Sequence, residues 1–552
     1  MSALHDYSKL NALIVDDFDS FRLTMTKMLQ DFGIDKVDVA INGNEALKFC
    51  RHKTYDLVLC DYNLGKGKNG QQVLEELRYR KLLGSGSLFI MVSAESSKSI
   101  VMAAYDFEPD AYMAKPVTPM ALYQRLRRLL AEQPLIGGIK RATEGGQTDV
   151  AIALCQKEIR GGGRHAARCQ KMLAELFLSQ GQTEEAEAVY RQVLDNRVLD
   201  WAQVGMAAVK KAQGDLVGAQ QWLDEVIQTN PLAMRAYDLL SEIFREQEDW
   251  EGLQRTLEQA VSVSPLAIQR QQLLGSVAMH NNDLEVAATA LRRAVRQGEF
   301  SCYDNVEFHL QFGRAVAGLG RTDKNLAKPF AREASKAINA LEQRFGKSPE
   351  RHMQAHLIES QLAVVQGDKQ RAKQLLGAMK ESFTEDDTLL YGNTDVALEY
   401  TGACRMLGDE KEASRMLKHL LEFHRENESE LEKIDRLLEE PVSAKNRQLV
   451  ASINRRGIGY YEAKNYTAAR ECFESALRTF PNHQGLRLNL IQTLLGKLEN
   501  QSHDERDYER VQTALAEVEA AVSPAHEQFQ RYRQLHERFR RYQQQHQQTN
   551  KA

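Results

Sequence analysis

In the first hundred residues, short runs of apolar residues stop abruptly at polar ones. Ala12-Leu13-Ile14-Val15 meets Asp16-Asp17, Asp56-Leu57-Val58-Leu59-Cys60 meets Asp61, and Leu88-Phe89-Ile90-Met91-Val92 meets Ser93. Runs this short, apolar on both faces, read as buried parallel strands. Amphipathic stretches accompany them at Phe21 to Leu29, Glu45 to Arg51, Val73 to Leu83 and Ala121 to Leu130. The alternation predicts a doubly wound, five-stranded parallel sheet with helices on both faces.

In such a sheet the polar residues at the carboxyl ends of the strands gather at one rim. Asp16, Asp17 and Asp61 would meet there, with Ser93 and Lys115 supplied by the two later strand ends. Three carboxylates in one place repel unless a hard cation sits among them, and oxygen ligands suit Mg2+. The segments Leu13-Ile14-Val15-Asp16-Asp17-Phe18, Asp61-Tyr62-Asn63-Leu64, Val92-Ser93-Ala94-Glu95 and Tyr112-Met113-Ala114-Lys115-Pro116 together resemble the response-regulator receiver family. The resemblance implies a flavodoxin-like α/β receiver with Asp61 as phosphoacceptor. It further implies Mg2+ on Asp16, Asp17, Asp61 and the Asn63 backbone carbonyl, with Ser93 and Lys115 on the phosphoryl oxygens. Ser93 and Tyr112 would act as the switch, and the bond before Pro116 would be cis. Leu64-Gly65 replaces the family's Met-Pro, and the loop Gly65 to Gly70 is slightly long; its added lysines read as solvated charges on an exposed loop.

Beyond Gln133-Pro134 and Gly137-Gly138 strand patterns cease and paired amphipathic helices take over. Pro231 and Pro265, like Ala260 and Ala294, stand 34 residues apart, the period of the tetratricopeptide repeat. Gly457, Tyr460, Ala469, Phe473, Ala476 and Pro481 resemble that repeat position by position. Gly275, Ala287, Leu291, Ala294 and Trp201, Val204, Gly205, Ala219, Val226, Pro231 match less fully. Degenerate copies carry a glycine followed five residues later by alanine, as at Gly181 and Ala186, Gly367 and Ala372, or Gly408 and Ala413. About eight to ten helix pairs are expected, forming an all-α superhelix whose concave face suits a peptide or a partner helix. Phe423 to Glu440 reads as one charged helix with Leu431, Ile434, Leu437 and Leu438 on its apolar face. Phe529, Tyr532, Leu535, Phe539 and Tyr542 mark a terminal amphipathic helix before a glutamine-rich tail expected to be disordered.

A net charge of −4 leaves no electrostatic footprint of a dedicated nucleic-acid binder. Seven cysteines without a Cys-x-x-Cys pair suit reduced thiols, the histidines lack metal-ligand spacing, and no nucleophile elbow is present. No stretch approaches the roughly 20 apolar residues of a membrane span. The expected organisation is a receiver over residues 1–133, a helical repeat domain over 134–500, and a C-terminal helix and polar tail over 501–552. The expected protein is a cytoplasmic two-component response regulator, not an enzyme beyond its own phosphorylation and dephosphorylation. A sensor histidine kinase and a protein target of the repeats are the expected partners, with homodimerisation open and membrane excluded. A phosphate sink or kinase antagonist is the alternative; a nucleic-acid-binding regulator is disfavoured.

Overall fold

The computed structural model describes residues 7–94, 109–382, 392–501 and 504–549. The chain divides into two compact units, Met1–Val277 with Thr289–Phe308, and Ala278–Ala288 with His309–Ala552. The first unit opens on a five-stranded parallel sheet: β1 (Asn11–Val15), β2 (Lys36–Ala40), β3 (Leu57–Asp61), β4 (Leu88–Ser93) and β5 (Ala111–Ala114), in the order β2-β1-β3-β4-β5. Because successive strand side chains alternate between faces, each apolar run feeds two cores at once. Ala12, Ile14, Leu57, Leu59 and Ile90 pack with Met25 and Leu29 of α1 (Asp19–Asp31). Leu13, Val15, Val58, Phe89 and Met91 pack on the other face with Leu47 of α2 (Gly43–His52) and with Val73 and Leu77 of α3 (Gly70–Tyr79). Glu95 and the helix expected between β4 and β5 lie outside the described residues.

The expected junction at 133/134 falls inside one helix. α4 (Pro119–Glu144) starts on a Thr118 cap and runs through Pro134 without stopping. Its first half places Leu122, Leu126 and Leu129 on the sheet. Its second half places Ile136, Ile139 and Ala142 against Ala151, Cys155 and Cys169 of the following helices. An interior proline costs a backbone hydrogen bond, which packing at both ends offsets here.

Repeats follow as antiparallel helix pairs. Gly181 and Gly214 turn the chain with positive φ, and Ala186 and Ala219, five residues on, are fully buried. The repeats' glycines are close-packing sites: a Cβ at Gly275 would lie 2.4 Å from Leu291, and one at Gly205 would lie 2.2 Å from the Tyr190 ring.

The second unit contains the clearest repeat, the helices Ala444–Glu462 and Tyr466–Thr479, where a Cβ at Gly457 would approach Phe473 to 2.5 Å. Two expectations need correction. Phe423 to Glu440 is not one helix: a helix ends at Phe423, a short one spans Glu428–Ile434, and a 3-10 turn covers Asp435–Leu437. The cause is buried Asp435, whose carboxylate accepts the Val442 amide at 2.7 Å and the Asn446 side-chain amide at 2.9 Å, pulling the chain back across Pro441. The glutamine-rich tail is also more ordered than expected, since the terminal helix spans Phe529–Thr549. It lays Tyr532, Leu535, Phe539 and Tyr542 into a core with Leu488, Leu495, Val511 and Leu515.

Candidate functional site

Register delivers the polar residues to one rim. Val15 pairs with Cys60, Asp61 with Val92, and Ser93 with Ala114, so the strands run out side by side. Asp16 follows β1 with its amide on the Ala40 carbonyl at 3.1 Å, and its carboxylate accepts the Phe18 amide at 2.8 Å. Arg22 donates to the Asp16 carbonyl at 2.6 Å and pins the turn from the side of α1. Asp61 is the last residue of β3, Ser93 the last of β4, and Lys115 directly follows β5. Asp16, Asp61 and Ser93 are buried; Asp17 and Asn63 are exposed.

Asp16, Asp17 and Asp61 each present a carboxylate oxygen, all within 4.8 Å of one another. Lys115 Nζ lies 2.8 Å from Asp16 Oδ2 and 2.9 Å from Asp61 Oδ2. Burial pushes the Asp61 carboxyl above its ordinary pKa, with Lys115 restraining the rise and Asp16 adding to it. Burial opposes the Lys115 ammonium, but its hydrogen bonds to Asp16 and Asp61 outweigh that and hold its pKa above the usual lysine value. The cluster is a charge-dense, oxygen-lined recess with one built-in cation. Tyr112 sits on β5 opposite Met91, partly buried against the α2 and α3 face, and the Lys115–Pro116 bond is cis.

The response regulator receiver domain family matches residues 12–127. The chain carries a response-regulator receiver domain. Over 120 residues the receiver is 28% identical to the chemotaxis protein CheY-3 of Vibrio cholerae, covering 22% of this chain and 91% of that one. It is 27% identical to the chemotaxis protein CheY of Pseudomonas aeruginosa, covering 22% and 95%. A solved CheY-like receiver domain from Methanospirillum hungatei is 30% identical, covers 23% of this chain and 96% of its own, and gives a TM-score of 0.21. Tetratricopeptide repeat families match residues 171–200, 273–337 and 455–483, so the long helical region carries such repeats.

Three features of the receiver were not read from sequence. Gly70 is required beside the phosphoacceptor candidate: its amide donates to the Tyr62 carbonyl at 2.8 Å, and a Cβ there would lie 2.2 Å from the Asp61 carbonyl oxygen. Phe21 supports the lysine, with Lys115 Nζ 4.2 Å from its ring centroid, a cation–π contact. The third corrects an expectation, for the Gly65 to Gly70 loop is not wholly solvated. The Lys68 side chain is only 14% exposed, pairs with Glu76 at 2.9 Å and reaches the Phe300 carbonyl of the repeat region.

That contact continues along α3, which is buried over its first eight residues. Gln72 donates to the carbonyls of Gln297 and Glu299 at 3.0 and 3.1 Å, where the helix Leu284–Gly298 ends. Ser301 donates to Glu75 at 3.1 Å, and Tyr79 meets Tyr303 edge to face. Polar residues on a buried helix face need such partners, and the repeat region supplies them.

Proposed function

We propose that this chain is a two-component response regulator that takes a phosphoryl group from a sensor histidine kinase onto Asp61 and reads it out through protein partners of its tetratricopeptide region. The observation that carries this reading is the Asp61 carboxylate at the end of β3, 2.9 Å from Lys115 and clustered with Asp16 and Asp17. A carboxylate oxygen of Asp61 attacks the phosphorus of a phosphohistidine; the P–O bond forms as the P–N bond breaks, and the departing imidazole takes up a proton.

Asp16, Asp17, Asp61 and the Asn63 carbonyl fit Mg2+, since the donors are all oxygen and the carboxylates converge. Bound there, the ion neutralises charge on the transferring group. Lys115 exchanges its Asp61 contact for the phosphoryl oxygens, the Ser93 hydroxyl hydrogen-bonds to them, and Tyr112 turns into the space this vacates. The loop that joins Asp61 to α3 bears on the repeat region through Lys68, and α3 itself through Gln72, which supports a direct route from phosphorylation to the array.

Incubation with acetyl phosphate and magnesium tests the chemistry. A hydroxylamine-labile adduct is expected on Asp61 and none on Asp61→Asn; a wild-type chain that forms no adduct rejects the reading. Tyr112→Ala is expected to keep the adduct while losing the phosphorylation dependence of partner capture.

A further inference from the structure

The second unit carries an open cavity of about 700 Å³ walled by helices of successive repeats. Eight of its lining residues are Arg or Lys and three are Glu, whereas the whole chain carries a net charge of −4. The three carboxylates are already engaged: Glu399 accepts Arg314 at 2.7 Å, Glu517 accepts Arg487 at 3.2 Å, and Glu474 faces Arg470 at 3.8 Å. Among the described residues, Arg321, Arg436 and Arg510 form no ion pair.

All three residues are exposed on the wall of this cavity. Clustered cations without counter-ions on one wall attract anionic groups, an effect that weakens as salt rises. The rest of the lining is aliphatic, including Leu284, Leu398, Leu437, Leu477 and Leu490, and no Phe, Tyr or Trp is among it. Single-stranded nucleic acid binds by stacking bases on aromatic rings, so this wall suits a peptide better. A cavity of this size admits a few side chains and no folded domain.

Resting on the reading of the repeats as partner-binding, we infer that the cavity binds a short acidic peptide segment, its carboxylates on Arg321, Arg436 and Arg510 and its apolar side chains on the leucines.

The test is fluorescence anisotropy on the full chain with a labelled peptide of alternating Glu and Leu, its Lys-for-Glu counterpart, and a single-stranded RNA oligomer. The Glu peptide is expected to bind, more weakly as salt rises, with a loss of tenfold or more in Arg321→Gln/Arg436→Gln. Lys373→Gln, on an outlying helix, serves as the variant expected to retain binding, with thermal unfolding checked for each. If the double variant is unfolded, Arg510→Glu, at the cavity wall, takes its place with the same expected loss. Equal affinity in the charge-removal variant, or RNA binding tighter than the Glu peptide, overturns the inference. So does a protein partner captured equally by wild type and that variant, an outcome that leaves the partner-binding reading itself standing.

Discussion

A single added methyl group tests the repeat packing most directly. At Gly457 it would sit against the Phe473 ring, and overpacking of a close-packed core costs roughly 1–3 kcal/mol. Gly457→Ala is therefore expected to lower the unfolding midpoint in denaturant without changing helix content. The opposite sign is expected at Glu248. With φ of 56° it makes the turn that Gly214 makes one repeat earlier, as do Asn282 and Lys464 elsewhere. Left-handed backbone costs a side-chain-bearing residue about 1–2 kcal/mol, partly offset by the greater entropy of unfolded glycine. Glu248→Gly is expected to stabilise by roughly 0.5–1 kcal/mol in the same measurement. Glycine-based turns such as Gly181 and Gly408 were legible in the sequence. Glu248 and Lys464 were not, because nothing in a charged side chain announces a positive φ; Asn282 carries only the partial left-handed preference of an amide.

Helix ends carry the pH dependence. His483 caps the helix Gln484–Asn500 by accepting the Leu486 amide through Nδ1, a role that needs the neutral ring. Burial lowers its pKa, against the pull of Glu440 and Glu439. The unfolded state therefore binds the proton more readily, so stability is complete above the unfolded histidine value of about 6.5 and falls as the pH drops through and below it. His483→Asn keeps an acceptor at the cap and is expected to flatten the melting temperature between pH 7.5 and 5.5 relative to wild type. The terminal helix is a second element-scale case. Its aromatic face was readable from residue spacing, but the order of the segment beyond Tyr542 was not. Glutamine-rich composition has no apolar face of its own, and here the helix is anchored upstream by Phe539, Tyr542 and the Arg538 pair with Glu499 at 2.9 Å.

At the scale of the first unit, the receiver and the repeat region share both a helix and a polar seam. Removing Glu75 would leave Ser301 and Gln71 without their carboxylate acceptor in a buried setting. Glu75→Leu is expected to cost about 1–3 kcal/mol and to speed amide exchange at residues 297–303. The sheet and the proposed phosphorylation of Asp61 should survive, because Glu75 lies off the rim that holds Asp61. Hydrogen exchange with and without acetyl phosphate reads both effects.

By itself the sequence determined the sheet, its two-sided core and the identities of the residues at its rim, since strand-length apolar runs ending in Asp, Ser or Lys admit few other arrangements. It also determined the repeat period, because small residues must recur wherever two helices close on each other. Only the tertiary structure decided that α4 passes unbroken through Pro134, that Lys68 and Gln72 face protein and not water, that Asp435 folds back the segment after Phe423, and that Arg321 and Arg436 line one cavity. Each of these depends on residues distant in the chain meeting in space. A local pattern fixes which face of an element is apolar, not what is brought against its polar face.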